Sequence, residues 1–227
     1  IIMKHFITLL IGIIFPMAML AQHRSVPDKK DRIYLGDNIQ IKGDWDLLMD
    51  IARNLEYIDL PEYSGDYDAQ FWNQYPFGIK LVATEMIMSK ENHMEHQDKN
   101  ILIWLSIYKT GDHLDCMQLL NKGWEYVTSY IDTDKACFLR DHVTCMPAEY
   151  SRTNFNADST LTFNLDMAGN SVNDRYNHHK SILICKKNAL SIRMDCFLTD
   201  EGLKNFDSKY LKDIEKMFRF KELEAQK

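Results

Sequence analysis

The sequence predicts an α+β fold: a mostly antiparallel sheet with helices packed on it, arranged as an α/β/α sandwich. Two observations support this prediction. Several stretches that alternate apolar and polar side chains follow one another in the C-terminal half with no helical stretch between them. Helical apolar stripes occur before, between and after the strands. Because consecutive strands without a crossover connection pair antiparallel, the strands should form one such sheet, and the helices should cover it.

The N-terminal end has the pattern of a secretory signal. Lys4 begins it, an apolar run covers residues 6–20, and the small residue Ala21 ends it. The run of 15 residues is shorter than the roughly 20 that a membrane-spanning helix needs. We therefore predict a cleaved signal peptide at residues 1–21, a periplasmic or secreted protein, and no membrane span after cleavage. An uncleaved membrane anchor is the alternative.

Residues 22–32 are polar and charged, so they are predicted to form a flexible lead-in to a single α+β domain at residues 33–227. A first strand is predicted at 33–42 and a first helix at 45–56. Asp44 can accept a free amide hydrogen at the helix start, as N-cap residues do. The helix has an apolar stripe at helical spacing, formed by Leu47, Leu48, Ile51 and Leu55.

Two strands and a second helix are predicted next. Residues 78–88 alternate apolar and polar side chains, residues 89–99 form a polar link, and residues 101–108 are apolar on both sides. A strand that is apolar on both sides is typical of a sheet centre that is covered on both faces. The second helix is predicted at residues 113–129, after a Thr-Gly-Asp turn.

The C-terminal half is predicted to consist mainly of strands. The last two form a hairpin in which Cys185 lies near Leu190. A closing helix, capped by Asp207 or Ser208, follows them. The predicted strands lie at residues 135–146 (or a tight hairpin there), 149–155 (a weaker candidate), 161–167, 181–186 and 190–198.

The hairpin ILICKKNALSIRMDCFL followed by the terminal helix YLKDIEKMFRF resembles the last part of the PsbP and Mog1 group of α/β/α sandwich proteins. The resemblance is one of element order over residues 33–220. Members of that group are mostly accessory or partner-binding proteins without catalytic activity. The resemblance therefore implies an exported, non-catalytic binding or accessory protein, but it carries no site residue over to this chain.

The charge balance bears on the class of partner. The chain has 27 basic and 33 acidic side chains, a net charge of −6, so it lacks the basic footprint that nucleic-acid binding requires. The sequence also contains no nucleophile elbow, phosphate-binding loop or dinucleotide fingerprint. We predict no cofactor, no nucleic-acid partner and no catalytic residue in the main interpretation.

The irregular segment at residues 57–77 is the predicted recognition surface. It combines aromatic rings with acidic side chains and has no periodicity, and long irregular segments in compact domains are often functional. Amphipathic aromatic residues are enriched at protein interfaces. An alternative is that the rings pack on the core as a covering loop. The predicted contacts to an extracytoplasmic protein partner are Tyr63, Tyr67, Phe71, Trp72 and Tyr75.

The alternative function is a metal-dependent hydrolase. His93, Glu95 and His96 lie within four residues and are side chains that bind zinc or another divalent ion, although their spacing is not that of a zinc-protease motif. His178 and His179 could add at most one ligand, because neighbouring side chains on a strand point to opposite faces. We favour the simpler interpretation, a solvated polar link at 89–99 and two exposed histidines at a strand entrance, over a metal site.

Five cysteines follow the predicted signal, so at least one cannot form an intramolecular disulfide. Cys137 and Cys145 flank a short turn and could face each other closely enough to form a disulfide in an exported protein. Cys185 and Cys196 are predicted to share one face of the hairpin, too far apart along the strands to bridge, and to pack in the core.

Overall fold

The computed structural model describes residues 32–36, 39–65, 93–109, 115–118, 139–164, 167 and 171–222. It confirms an α+β fold with a seven-stranded antiparallel sheet. The elements are β1 (Arg32–Leu35), β2 (Ile39–Lys42), α1 (Trp45–Asn54), β3 (Leu55–Tyr57), β4 (Tyr63–Ser64), β5 (His93–His96), β6 (Ile101–Lys109), β7 (Val143–Cys145), α2 (Ala148–Phe155), β8 (Ser159–Phe163), β9 (His178–Cys185), β10 (Leu190–Leu198), α3 (Asp200–Lys204), a π-helical turn (Phe206–Tyr210), α4 (Leu211–Met217) and β11 (Phe218–Phe220).

The large sheet has the strand order β4-β5-β6-β10-β9-β8-β7. β6 and β10 pair along their whole length, from Leu190 opposite Lys109 to Leu198 opposite Ile101. Every residue of β10 is buried. The predicted central position of the 101–108 strand is therefore confirmed, and it has buried apolar side chains on both faces of the sheet. Two small antiparallel pairs, β1–β2 and β3–β11, complete the described strands.

The two faces of the large sheet differ in chemistry. One face, the apolar face, packs against α1, the π-helical turn and α4 through a hydrophobic core that includes Ile103, Ile184, Ile192 and Met194. The opposite face, the polar face, carries Trp104 together with charged and hydrogen-bonding side chains that are described below. Burial of the apolar face supplies the main driving force for folding, because burial of apolar surface dominates stability.

The helix α1 begins with the N-cap that its sequence predicts. Asp44 caps α1, and its side chain accepts a hydrogen bond from the Leu47 amide at 2.8 Å. This confirms the predicted cap. The predicted strand at 33–42 is instead the hairpin β1–β2, because Gly36 has a positive φ of 65° and turns the chain. The backbone at Gly36 also packs directly against the carboxylate of Asp59.

Besides the 33–42 strand, four predicted elements differ from the structure. In the predicted strand or hairpin at 135–146, residues 139–141 are helical and the described strand is Val143–Cys145. The link at 89–99 contains the strand β5, and the candidate strand at 149–155 is the helix α2, which buries Ser151 and Phe155 one helical turn apart. The closing helix begins at Asp200, with Thr199 as its cap, and is divided by the π-helical turn. The predicted elements at 78–88 and, except for residues 115–118, at 113–129 lie outside the described residues.

Gly202 fixes the position of α3 against the turn that precedes β6. Its amide donates to Thr199 Oγ1 at 3.0 Å, and the Thr199 hydroxyl donates to Asn100 Oδ1 at 2.8 Å. A β-carbon at Gly202 would overlap the backbone carbonyl oxygen of Asn100, which cannot rotate away as a side chain can. The close approach of these two backbones therefore requires glycine.

We expect Gly202→Ala to destabilise the protein by about 1–3 kcal/mol, the usual effect of forcing extra volume into a packed site. Helix propensity alone would favour alanine by up to about 1 kcal/mol, so the sign of the change tests the contact. Denaturant unfolding measures it. Lys204→Ala, in the same helix but at an exposed position, should change stability little. A Gly202→Ala variant as stable as the wild type would contradict the packing described here.

Candidate functional site

The candidate site is a group of four buried side chains on the polar face, which we call the polar cluster: His179, Ser181, Arg193 and Asp195. β9 carries two of them and β10 the other two. Ser181 lies directly opposite Asp195 in the register of these strands. Since side chains two apart on a strand share a face, His179 and Arg193 reach the same carboxylate from either side. All four side chains are at most 4% exposed.

The Asp195 carboxylate is the centre of the polar cluster. Its Oδ1 accepts a hydrogen bond from Ser181 Oγ at 2.5 Å and from Arg193 Nη2 at 2.7 Å, with Arg193 Nε at 3.1 Å. His179 Nε2 lies 3.0 Å from the same oxygen. The Arg193 guanidinium also lies over the ring of Phe163, 5.6 Å from its centroid. The buried ion pair is thus held by hydrogen bonds and by a cation–π contact.

The ion pair governs the electrostatics of the polar cluster. Burial by itself raises the pKa of the Asp195 carboxyl, because it disfavours the charged form. The Arg193 charge, with hydrogen bonds from His179 and Ser181, outweighs burial and lowers the pKa of Asp195 to about 2. Asp195 is therefore ionised at neutral pH although it is in the protein interior.

The residue types of the polar cluster are those of a nucleophilic triad, but the geometry is not. A nucleophilic serine needs its hydroxyl on a base that the acidic group orients from behind. Here Ser181 donates directly to Asp195, and Arg193 Nε lies 3.3 Å from Ser181 Oγ. Ser181 is also completely buried, so its hydroxyl is not accessible to a substrate in the described part of the structure. The arrangement suits a structural ion pair and does not suit acyl transfer.

The polar face continues across the sheet toward β5. The Tyr176 hydroxyl, on the loop before β9, donates to Glu95 Oε1 at 2.5 Å, and Tyr176 is fully buried. The ring of His93 lies 5.2 Å from the ring of Trp104, centroid to centroid. Hydrogen-bonding groups therefore cover a region of several strands on this face.

The structure separates the three predicted metal ligands. β5 is a strand, so His93 and Glu95 lie on the polar face while His96 points to the opposite face. Within the described part of the chain, no group of three or more His, Cys, Asp or Glu side chains is arranged to hold a metal ion. His93, Glu95 and His96 therefore do not form a common ligand set in this structure.

His96 belongs to a second polar network on the side of α4. Its Nδ1 lies 2.9 Å from Asp98 Oδ1, and Asp98 Oδ2 accepts hydrogen bonds from Lys209 Nζ at 2.7 Å and from the Tyr210 hydroxyl at 2.8 Å. Burial would raise the pKa of Asp98, but the hydrogen bonds, that from Lys209 foremost, lower it well below its usual range. This network joins the β5–β6 turn to the π-helical turn.

The predicted partner-binding residues are only partly described. Tyr63 is on β4 and is 2% exposed, with its hydroxyl donating to Asp213 Oδ2 at 3.2 Å. Burial and the Asp213 charge raise the pKa of Tyr63. Tyr63 is thus part of the core and not of an exposed recognition surface, which corrects its predicted role. Tyr67, Phe71, Trp72 and Tyr75 lie outside the described residues.

The predicted histidines and cysteines of the C-terminal half also have definite positions. His178 is half-buried and lies 2.7 Å from Asp200, whereas His179 is buried, so the prediction of two exposed histidines is wrong for His179. Cys145 is exposed on β7, and its predicted disulfide partner Cys137 lies outside the described residues. The Cys137–Cys145 disulfide stays a prediction.

Sequence reasoning missed the polar cluster. Ser191, Arg193 and Asp195 alternate with apolar residues along β10, a pattern that normally indicates a face in contact with water. The available signal was an Arg and an Asp two residues apart among apolar residues, with a His and a Ser on the neighbouring strand. That signal becomes specific only once the strand register is known.

No helix within the described residues is both long and apolar enough to cross a membrane. Comparison of the chain with protein-family models, with curated proteins and with solved structures finds no match in any of the three.

Proposed function

We propose that this chain is an exported, non-catalytic binding or accessory protein that engages a protein partner outside the cytoplasm. The observation that carries the proposal is a pair of large apolar side chains at the surface: Tyr34 is 62% exposed and Ile58 is 59% exposed. Exposed tyrosine and large aliphatic side chains supply the apolar contact area of protein interfaces.

The two side chains lie on segments that the structure holds together. Tyr34 is on β1, and the backbone of Gly36, two residues further on, packs against the Asp59 carboxylate next to Ile58. The Ile58 amide in turn donates to the Met217 carbonyl at the end of α4. A surface whose backbone is held in place binds a partner with a smaller entropic cost. We call Tyr34 and Ile58 the apolar pair.

Two further points favour binding. The only Ser–His–Asp grouping that we find among the described residues is the buried polar cluster, whose geometry suits an ion pair. The likeness in element order to the PsbP and Mog1 group, together with the predicted signal peptide at residues 1–21, favours an accessory role outside the cytoplasm.

The test uses the mature protein as bait for proteins of the extracytoplasmic fraction. We expect the double variant Tyr34→Ser/Ile58→Ser to reduce capture of the specific partner at least tenfold, since loss of two interface contacts worth more than about 1 kcal/mol each has that effect. Quantitative mass spectrometry of the cross-linked eluate measures the reduction.

Leu203→Ser is the matched control, because Leu203 is a third exposed large apolar residue but lies on α3. It should capture the partner as the wild type does, and all baits should have similar thermal midpoints. A second bait, Tyr67→Ala/Trp72→Ala, tests the predicted aromatic segment separately. Equal capture by the wild type and the apolar-pair variant would contradict the proposed surface, and no specific capture by the wild type would contradict a protein partner.

A further inference from the structure

Two buried cysteines, Cys116 and Cys185, meet on the polar face. Cys116 lies in a short helical segment at residues 116–118, and Cys185 is the last residue of β9. They are 1% and 0% exposed. Their Sγ atoms are 2.6 Å apart. Sixty-eight residues separate them in the sequence, so the contact belongs to the tertiary fold and not to a local turn.

The surrounding contacts fix the position of Cys116. Its amide donates to Ser159 Oγ at 3.1 Å, and Ser159 is the register partner of Cys185 across the β8–β9 pair. Its Sγ lies 3.2 Å from the Leu183 carbonyl oxygen on the same strand as Cys185. Two neighbouring strands therefore hold the Cys116 sulfur over Cys185.

The distance between the sulfur atoms distinguishes three arrangements: an unbonded pair, a disulfide and a pair bridged by a metal ion. Both cysteines are free thiols in this structure. Their sulfur atoms nevertheless lie closer than two unbonded sulfur atoms ordinarily do, and bonded ones lie at about 2.05 Å. A metal ion between the sulfurs does not fit either. With metal–sulfur bonds of about 2.3 Å, two ligands of a tetrahedral zinc ion lie about 3.8 Å apart. The separation is much nearer to a covalent bond than to a bridged pair.

We propose that Cys116 and Cys185 form a disulfide that ties the 115–118 segment to the β8–β9 part of the sheet. The proposal uses the export included in the proposed function, because disulfides persist in oxidising compartments. It does not depend on the partner or on the apolar pair. The predicted Cys137–Cys145 disulfide involves neither of these residues.

The bond forms by thiol–disulfide exchange with a disulfide-bonded oxidant, either a small-molecule disulfide or the active-site disulfide of a thiol oxidase. The first cysteine thiolate attacks the oxidant disulfide, forms a mixed disulfide and releases one thiol. The second then attacks the mixed disulfide, closes the Cys116–Cys185 bond and releases the second thiol. Two thiol protons and two electrons leave the protein, and the oxidant becomes two thiols.

The exchange takes place before the fold closes over these residues. Burial raises the pKa of the Cys116 thiol in the folded protein and so disfavours the thiolate that exchange requires. Burial also keeps the oxidant away. Once formed, the bond should therefore resist reductants in the native state and become reducible when the protein unfolds.

The experiment uses the mature chain, folded in a buffer of oxidised and reduced glutathione. Free thiols are blocked with N-ethylmaleimide in denaturant without reduction, and peptide mapping by mass spectrometry then identifies linked cysteines. We expect a peptide pair that joins Cys116 to Cys185 in the wild type, in Cys145→Ser and in Cys196→Ser. Cys196 is the matched control, because it is equally buried but lies on the apolar face.

A second measurement remains informative if single variants fold poorly. Closure of a loop of about 70 residues should raise the thermal midpoint of the oxidised wild type by roughly 5–10 °C over the reduced protein. The double variant Cys116→Ala/Cys185→Ala should lose this difference. The proposal is overturned if both cysteines of the wild type carry N-ethylmaleimide, or if either is linked to a different cysteine. Neither result bears on partner capture by the apolar pair.

Discussion

Replacement of Arg193 by methionine should lower the free energy of unfolding by about 3–5 kcal/mol, the effect expected when one partner of a buried ion pair is removed. Methionine fills much of the same space but has no charge. Asp195 would then be ionised in the interior with hydrogen bonds from Ser181 and His179 and no compensating cation. Denaturant unfolding measured by circular dichroism gives the change in free energy.

Two comparisons isolate the charge from the change of shape. Arg219→Met removes an exposed arginine that donates to the Thr153 carbonyl oxygen, and it should cost less than about 1 kcal/mol. The double variant Arg193→Met/Asp195→Asn removes both charges, so its loss should be clearly smaller than the sum of the two single losses. Equal losses for Arg193→Met and Arg219→Met would contradict the structural role of the buried pair.

The parts of the fold that the sequence predicted correctly have strong local signals. Strand 101–108 is apolar on both faces, and only a central strand is covered in this way. Asp44 directly precedes a helical stripe and caps it. The 149–155 segment has no such apolar stripe at helical spacing. Its helix α2 depends on packing of Ser151 and Phe155 against the domain, an influence of tertiary structure that the sequence does not display.

A shift of one residue in a strand register explains the main error in the predicted hairpin. Cys185 was expected near Leu190, but it pairs with Ser191, and Lys186 instead bonds to the Leu190 carbonyl. Because side chains alternate between the faces, one residue of shift moves a side chain to the other face. Cys185 consequently lies on the polar face beside Cys116, while Cys196 lies on the apolar face, and the predicted common face for Cys185 and Cys196 is wrong.

The same alternation explains why the three predicted metal ligands do not lie together. Within an irregular link, His93, Glu95 and His96 could have turned toward a common point. In the strand β5, residues three apart point in opposite directions. His93 on β5 and Arg193 and Asp195 on β10 resemble solvent-facing residues in the sequence, yet they are buried. Local sequence shows which residues are polar, but not which of them find partners in the interior.

Acidification should destabilise the protein through Asp195. The pKa of Asp195 is about 2 in the folded protein and 3.8 in the reference state, so the folded state binds the proton more weakly than the unfolded state. A lowered pKa of this kind contributes stability that is fully present above about pH 5 and is lost as the pH falls from about 4 to 2. At about 1.4 kcal/mol for each pKa unit, we expect a loss of about 2–3 kcal/mol from this group.

Unfolding midpoints of the wild type and Asp195→Asn between pH 6 and pH 2 separate this contribution from the titration of other acids. The stability difference between the two proteins should shrink by about 2–3 kcal/mol over that range, because protonated Asp195 and asparagine are both neutral. Asp200→Asn is the control. Asp200 also has a lowered pKa, from hydrogen bonds of His178 and Asn177, but it is fully exposed, so its difference from the wild type should change little with pH. A difference between wild type and Asp195→Asn that stays constant down to pH 2 would show that Asp195 gains no proton-linked stability from Arg193, and the polar cluster would then stabilise the fold by packing alone.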